Sequence, residues 1–270
     1  MPQAARLWLQ QALCAPIDLQ AKPLLTVTKN SMTRRPNELR PVKIKRRYTR
    51  ATPGSVLYQS GNTTVLCTAS VESKVPDWMV GSGKGWITAE YNMLPGSTSP
   101  RKRRDRQKVD GRTTEIQRLI GRSLRAVADL EALGERMITV DCDVLDADGG
   151  TRTASITGGF IALVDALRAI RKELPDRQHY PLRDSVAAVS VGLVNNRPTL
   201  DLDYEQDFAA IVDMNVVMTG GGRFIEVQGT GEEATFDQAE FDALVKLARR
   251  GTKQLTEIQD KTLGKQWPFA

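Results

Sequence analysis

Three groups of residues carry most of the chemical potential of this 270-residue chain. The first is Gly149-Gly150-Thr151-Arg152-Thr153, placed directly before the helix-like run "ASITGGFIALVDALRAI". Two glycines free the backbone to turn and to approach a ligand closely. A helix opening just after them aims its unpaired N–H groups at that same point. The Thr151 hydroxyl and the Arg152 guanidinium suit the oxygens of a phosphate. A simple turn explains glycines before a helix equally well when they stand alone. The second group is Arg112, which follows Gly111 and precedes Thr113, read here as the N-cap of another helix. Two helix starts, each with an arginine, would make a specific anion site if they converged.

The third group is Asp207 and Asp213 in "DYEQDFAAIVDMN". Their separation is even, so a strand reaching back to 207 sets both on one face. Asp213 stands between Val212 and Met214 in an apolar run, where a carboxylate is costly unless paired or bound to metal. Two carboxylates facing a phosphodiester form a seat for Mg²⁺. The competing reading makes one a strand-terminal acid and the other a structural hydrogen-bonder. The single histidine, His179, sits in the polar stretch "PDRQHYP", which disfavours a histidine base, a histidine nucleophile or a histidine-held zinc. No G-x-S-x-G elbow, P-loop or dinucleotide fingerprint is present.

The elements that must hold these groups follow from hydrophobic period. Val56 to Gln59 and Thr64 to Val71 read as strands joined by a turn at Gly61-Asn62, and "KGWITAEYNMLP" as a third strand. "TTEIQRLIGRSLRAVADLEAL" reads as one helix, apolar through Ile116, Leu119, Ile120, Leu124, Val127 and Leu130. Its Arg118, Arg122 and Arg125 form a stripe, either a solvated face or a contact for ligand or a neighbouring subunit. "RMITVDCDVLD" alternates as a strand, with Ile138, Val140, Cys142 and Val144 on one face. A helix from about Ser155 to Leu174 follows, then strands in "DSVAAVSVGLVNNRPTLDLD" with a turn at Asn195-Asn196, in "FAAIVDMNVVMT" and in "RFIEVQGT". A long amphipathic helix closes the chain. This order predicts an α+β fold with substantial sheet in one compact domain, residues 32–270. Residues 1–31 read as a loosely ordered extension not needed for activity, poor both as a secretory signal and as a transit peptide.

Composition sets the outer bounds. The chain is 40% hydrophobic and 26% charged, ordinary for a soluble globular protein, and no run approaches the length of a membrane helix. Cys14, Cys67 and Cys142 are odd in number and scattered, fitting neither a disulfide framework nor a zinc knuckle and suggesting a reducing, cytoplasmic setting. The net charge of +6 is concentrated. Residues 32–50 hold eight basic residues against Glu38, and residues 99–112 hold seven against Asp105 and Asp110. Such blocks suggest a polyanionic partner, or else solvated loops.

The motifs "GKGWITAEYNMLP", "GRTTEIQRLIGRSLRAV", "DCDVLDADGGTRTASITG", "VDMNVVMTG" and "VQGTGEEATF" together resemble the bacterial ribonuclease PH family, in register from about Asn37 to Leu263. Related folds include the catalytic halves of polynucleotide phosphorylase and the ring subunits of the exosome. The resemblance implies a fold like the second domain of ribosomal protein S5. It implies a phosphorolytic 3′→5′ exoribonuclease that uses inorganic phosphate to trim precursor transfer RNA, and ribosomal RNA as a further substrate, releasing nucleoside diphosphates. On it, Arg112, Gly150, Thr151 and Arg152 hold phosphate, and Asp207 and Asp213 are the metal-associated acids. Arg112, Arg152, Asp207 and Asp213 are then the catalytic set. The loop carrying Arg101, Lys102, Arg103, Arg104 and Arg106 would grip the RNA body. The family forms a homohexamer, a trimer of dimers. The alternative is a catalytically silent RNA-binding ring subunit, which would not need those four side chains. Two departures stand out: the extension 1–31, and "RRPNELRPV" where the family places Asp-Gly-Arg before the equivalent segment.

Overall fold

The structure is a computed structural model, and it describes residues 34–104, 110–232 and 234–264. The expectations for residues 1–31 and for Arg106 therefore lie outside the described residues.

A five-stranded sheet has the order β1-β2-β3-β5-β4, made of β1 (Val42–Arg46), β2 (Gly54–Ser60), β3 (Thr63–Glu72), β4 (Trp86–Met93) and β5 (Met137–Asp146). Only β4 runs parallel to its neighbour β5. A four-stranded antiparallel sheet has the order β7-β6-β8-β9, from β6 (Val186–Val194), β7 (Arg197–Leu200), β8 (Ala210–Thr219) and β9 (Phe224–Gly231). The helices are α1 (Gly111–Ala126), α2 (Leu130–Leu133), α3 (Thr151–Ala169), α4 (Tyr204–Ala209) and α5 (Gln238–Leu263).

Helix α3 is the centre of the molecule. It is buried from Thr153 to Leu167, packing on β2, β3 and β5 with one side and on β6 with another. Full burial of a side chain such as Phe160 or Leu163, both inaccessible to solvent, contributes about 1.5–3 kcal/mol each. The second sheet is in turn covered by α5, whose Leu244, Ala248 and Leu255 pack with Ala187, Val189, Val191 and Met214. Strand β6 thus has a helix on both faces, which is why "VAAVSVGLV" is a continuous apolar run and not an alternating one. The α+β architecture expected from the element order is the one found.

Several boundaries differ from expectation. The helix read through Leu133 breaks after Ala126, because the Asp129 carboxylate accepts from the N–H groups of Glu131 and Ala132 and caps a separate short helix. Helix α3 starts at Thr151, earlier than Ser155, and yields at Ala169 to a tight turn at Arg171–Glu173 ahead of Pro175. The Asn195-Asn196 turn is present, with φ of 51° and 58° suiting a two-residue hairpin.

The basic block 32–50 is in large part structural. Its centre is the edge strand β1, whose Val42–Ile44 alternation is interleaved with lysines. Arg46 donates from Nε to Asp165 on α3 at 2.8 Å and from Nη1 to the Thr262 carbonyl at 2.9 Å. Arg34 and Arg40 bind the segment around Asp201. Those three guanidinium groups are spent inside the fold, so the block offers a polyanion less charge than its count suggests. Cys67 and Cys142, distant in sequence, lie opposite each other on β3 and β5; their mutual contact, with burial, pushes the Cys67 thiol up.

Candidate active site

The glycine pair makes the turn that the sequence requires. Gly149 and Gly150 have φ of 72° and 62°, a left-handed conformation that side chains resist. A Cβ at Gly149 would lie 2.5 Å from the Leu202 carbonyl oxygen, so the turn also depends on close approach to the segment before α4. Thr63 clamps it from β3: its hydroxyl donates to the Gly149 carbonyl at 2.6 Å and accepts from the Asp148 N–H at 3.0 Å. Gly150 is the N-cap of α3, with no side chain to satisfy the first N–H groups, which leaves them for a ligand.

Thr151 and Arg152 follow as the first helical residues. The Thr151 hydroxyl is 2.8 Å from that of Tyr91 on β4. Burial pushes the Tyr91 hydroxyl up, and Thr151, Arg112 and Arg152 pull it back. Arg152 donates from Nη1 to Gln228 Oε1 on β9 at 3.0 Å and lies 3.5 Å from Glu115 on α1. Side chains from two other elements, β9 and α1, therefore fix its guanidinium.

Arg112 is placed by the start of α1, but the cap is Asp110, not Thr113. The Asp110 carboxylate accepts from the Thr113 N–H at 2.6 Å and from Lys102 Nζ at 3.1 Å. The Thr113 N–H bond, with Lys102, lowers its carboxyl to about 2, so the cap stays charged at any ordinary pH. Arg112 itself is exposed.

The acidic pair arises by a different route from the one its spacing suggested. Asp207 is not on the strand: residues Tyr204–Ala209 form α4, and the even-spacing argument fails there. The Asp203 carboxylate accepts from the Gln206 N–H while the Gln206 side chain returns to the Asp203 N–H, and this reciprocal cap starts a helix where a strand was expected. Asp213 is on β8, sharing the α3 side of the sheet with Val217. The two still act on each other. Burial pushes the Asp207 carboxyl up, Asp213 adds to that, and Arg112 and Arg152 oppose it. Asp207 keeps more than a third of its surface open to water, so screening moderates the repulsion.

The structure thus brings Arg112, Thr151, Arg152, Asp207 and Asp213 to one locus from α1, α3, α4 and β8. Of the basic loop, Arg101, Arg103 and Arg104 are exposed, while Lys102 is engaged by Asp110. Lys102, Arg103 and Arg104 line a cleft of about 150 Å³ with Asn92, Leu94 and Asp143. Asn92 and Asp143 alternate with the core-facing Tyr91 and Cys142, so this cleft lies on the sheet face away from α3. Arg122 and Arg125 of the helical stripe are occupied, by Glu226 and by the Trp86 ring with the Ile87 carbonyl. Tyr91, Gln228 and Glu115 are site neighbours that sequence reasoning missed. Alternation in β4 points Tyr91 inward, but nothing local marks Gln228, which arrives through its pairing with Asn215.

The donor set fits a divalent cation of the hard type: two carboxylates near enough that Asp213 helps to raise the Asp207 carboxyl, both oxygen donors of the kind such a cation takes. Among the described residues, no three His, Cys, Asp or Glu side chains gather to hold a metal unaided.

An α+β fold that brings two arginine-bearing helix starts and a carboxylate pair within electrostatic reach of one another has the makings of an enzyme that handles phosphate. Residues 38–169 match the family model for domain 1 of the 3′ exoribonuclease family, and residues 184–251 match domain 2. Ribonuclease PH of Rhodopirellula baltica is 66% identical over 232 residues, spanning 84% of this chain and 94% of that protein. Ribonuclease PH of Listeria innocua is 56% identical over 234 residues, 86% and 94% of the two. The chain belongs to the 3′ exoribonuclease family, among its ribonuclease PH members. Solved structures share the fold at low identity. Rice Rrp46 superposes with TM-score 0.70 at 17% identity, over 86% of this chain and 99% of that one. A chain of the Archaeoglobus fulgidus exosome with RNA bound to the active site gives 0.72 at 22%, over 85% and 92%.

Proposed function

We propose that this chain trims the 3′ ends of precursor transfer RNA by phosphorolysis, with ribosomal RNA as a further substrate. Orthophosphate attacks the phosphorus of the terminal phosphodiester, the bond to the 3′ oxygen of the preceding nucleotide breaks, and a nucleoside diphosphate leaves. The observation that carries the reading is the gathering of Arg112, Thr151 and Arg152, set on two helix starts, beside Asp207 and Asp213.

Phosphate is an anion at neutral pH and needs no histidine base. His179 lies elsewhere, 3.3 Å from Asp129. The work of the site is positioning and charge neutralisation. The N–H groups after Gly150, the Thr151 hydroxyl and the guanidinium groups of Arg152 and Arg112 hold the attacking phosphate. Gln228 and Glu115 keep Arg152 from swinging away. Asp207 and Asp213 would hold Mg²⁺, which when bound neutralises charge on the phosphodiester. The exposed Arg101, Arg103 and Arg104, joined by Arg106, grip the RNA body through its phosphates, and that contribution is salt-sensitive and indifferent to sequence.

The same proposal includes a homohexamer, a trimer of dimers, in the cytoplasm. Exposed apolar side chains support burial between subunits: Phe208 is 82% exposed, Trp78 69%, Val80 67% and Tyr204 62%. Among the described residues no helix is long and apolar enough to cross a membrane. Catalysis is assigned to 32–270, so a chain starting at Met32 is expected to keep its turnover.

Incubating 3′-extended transfer RNA with and without phosphate tests the reading. Shortening that requires phosphate supports it. A chain that binds the RNA but never shortens it is the silent ring subunit instead. Light scattering that shows a monomer at assay concentration contradicts the hexamer.

A further inference from the structure

Besides the Thr63 clamp, one buried arginine that no step of the proposed reaction uses ties the phosphate cradle to the rest of the fold. Arg40 precedes β1 and is only 6% exposed. Its Nη2 donates to Asp201 Oδ1 at 2.7 Å, and its backbone N–H donates to Asp201 Oδ2 at 2.9 Å. Its Nη1 donates to the carbonyl of Asp148, the residue before the glycine pair. A Cβ placed on Gly150 would sit 3.0 Å from that Nη2. The space left between Arg40, Asp201, Gly150 and Thr153 is about 10 Å³, at the lower limit for one water, so little slack separates the pair from the turn.

Asp201 is itself held from several directions. It adopts φ of 55°, uncommon outside glycine, and its N–H donates to the Ser190 carbonyl at 2.7 Å. Ser60 donates to its carboxylate at 3.2 Å. Arg34 donates to its carbonyl at 3.0 Å and, with the same nitrogen, to the Gln206 side chain of the α4 cap at 2.8 Å. The arginines at 34 and 40 therefore tie the cradle turn and the start of the Asp207 helix to one anchor.

We infer that Arg40, acting with Asp201, is a positioning residue that sets where the N-terminus of α3 points and so how tightly phosphate is held. The inference rests on the phosphorolytic reading of the site. Arg40 does not reach the ligand in this account. Its role depends on reaching two acceptors with two different nitrogens, Nη1 and Nη2, a span that the single nitrogen of an ammonium does not reproduce. A control is built into the same helix: Arg46 grips Asp165 near the far end of α3 in an ion pair that is partly open to water on the arginine side, and its partners, Asp165 and Thr262, lie outside the cradle.

The test compares Arg40→Lys with Arg46→Lys for melting temperature, KM for phosphate and KM for RNA. Arg40→Lys keeps a cation beside Asp201 but releases the Asp148 carbonyl. It is expected to raise KM for phosphate about tenfold or more with KM for RNA unchanged, the penalty of a misplaced ligand. Arg46→Lys, which loosens a partly exposed pair, is expected to lower the melting temperature and leave KM for phosphate alone. Should Arg40→Lys fold poorly, Arg40→Met with Asp201→Asn leaves no unpaired buried charge, keeps a residue tolerant of the left-handed backbone, and is expected to show the same split. A wild-type KM for phosphate in either Arg40 variant, or an equal rise in Arg46→Lys, overturns the inference. Wild-type turnover that ignores phosphate instead overturns the underlying reading of the site, and the two failures are told apart by that control.

Discussion

Replacing Arg152 with alanine separates catalysis from stability more sharply than any other single change. In the folded protein its guanidinium makes one hydrogen bond, to Gln228 at 3.0 Å, and one partly exposed ion pair, to Glu115 at 3.5 Å. The first is worth about 1 kcal/mol and the second about 0–1 kcal/mol. No apolar core depends on the side chain, since the buried stretch of α3 begins at Thr153. A loss of about 1 kcal/mol lowers the melting temperature of a domain this size by roughly 2–4 °C. The catalytic cost is larger if the fork neutralises phosphate charge: removing one preorganised donor costs about 10²–10³ in kcat, roughly 2.7–4 kcal/mol. The assay is initial-rate shortening of 3′-extended RNA over a range of phosphate, with a thermal melt of the same preparation. Arg152→Ala is expected to melt within a few degrees of the parent and to lose at least about a hundredfold in kcat/KM for phosphate. Near-parental rates at limiting phosphate would refute the assignment. So would a collapse of the melt with turnover lost only in proportion to the unfolded fraction.

Three further outcomes follow from the site. Asp207 has its carboxyl raised, so the fold favours its protonated form; that contribution to stability is present at low pH and is lost as pH rises through the raised value. Asp207→Asn is therefore expected to melt at or above the parent at neutral pH, with the gap closing on acidification, while turnover falls; a parent clearly more stable at neutral pH contradicts this. Neutralising Arg101, Arg103 and Arg104 is expected to weaken transfer RNA binding and flatten its salt dependence while sparing short oligonucleotides, whereas equal loss on long and short substrates would place the loop's action elsewhere. Asp110→Ala removes the cap of α1 and the partner of Lys102; it is expected to cost about 0.5–2 kcal/mol and to raise KM for phosphate through Arg112, and a stability loss with unchanged KM would show that the start of α1 does not aim that side chain.

How much of this was legible in the sequence varies with the range of the interaction. The cradle was legible because its signals are local: two glycines, then residues able to start a helix, then an arginine. Cys142 and Val144 could be assigned to the core because strand alternation repeats every second residue. Asp207 could not be placed correctly, since its helix depends on a reciprocal cap between Asp203 and Gln206 inside a stretch that continues directly into a strand. The charges at 34–50 misled for the opposite reason. Their count is local, but their partners, Asp165 and Asp201, lie more than a hundred residues away. Gln228 and Glu115, which hold Arg152, are likewise products of tertiary pairing and carry no motif of their own.

The central claim is that phosphate, not water, is the attacking group. Radiolabelled orthophosphate supplied with unlabelled 3′-extended transfer RNA tests it most directly. The account predicts label recovered in released nucleoside diphosphates, in step with the shortening of the RNA. Shortening that yields unlabelled nucleoside monophosphates, with all label still in orthophosphate, would contradict it.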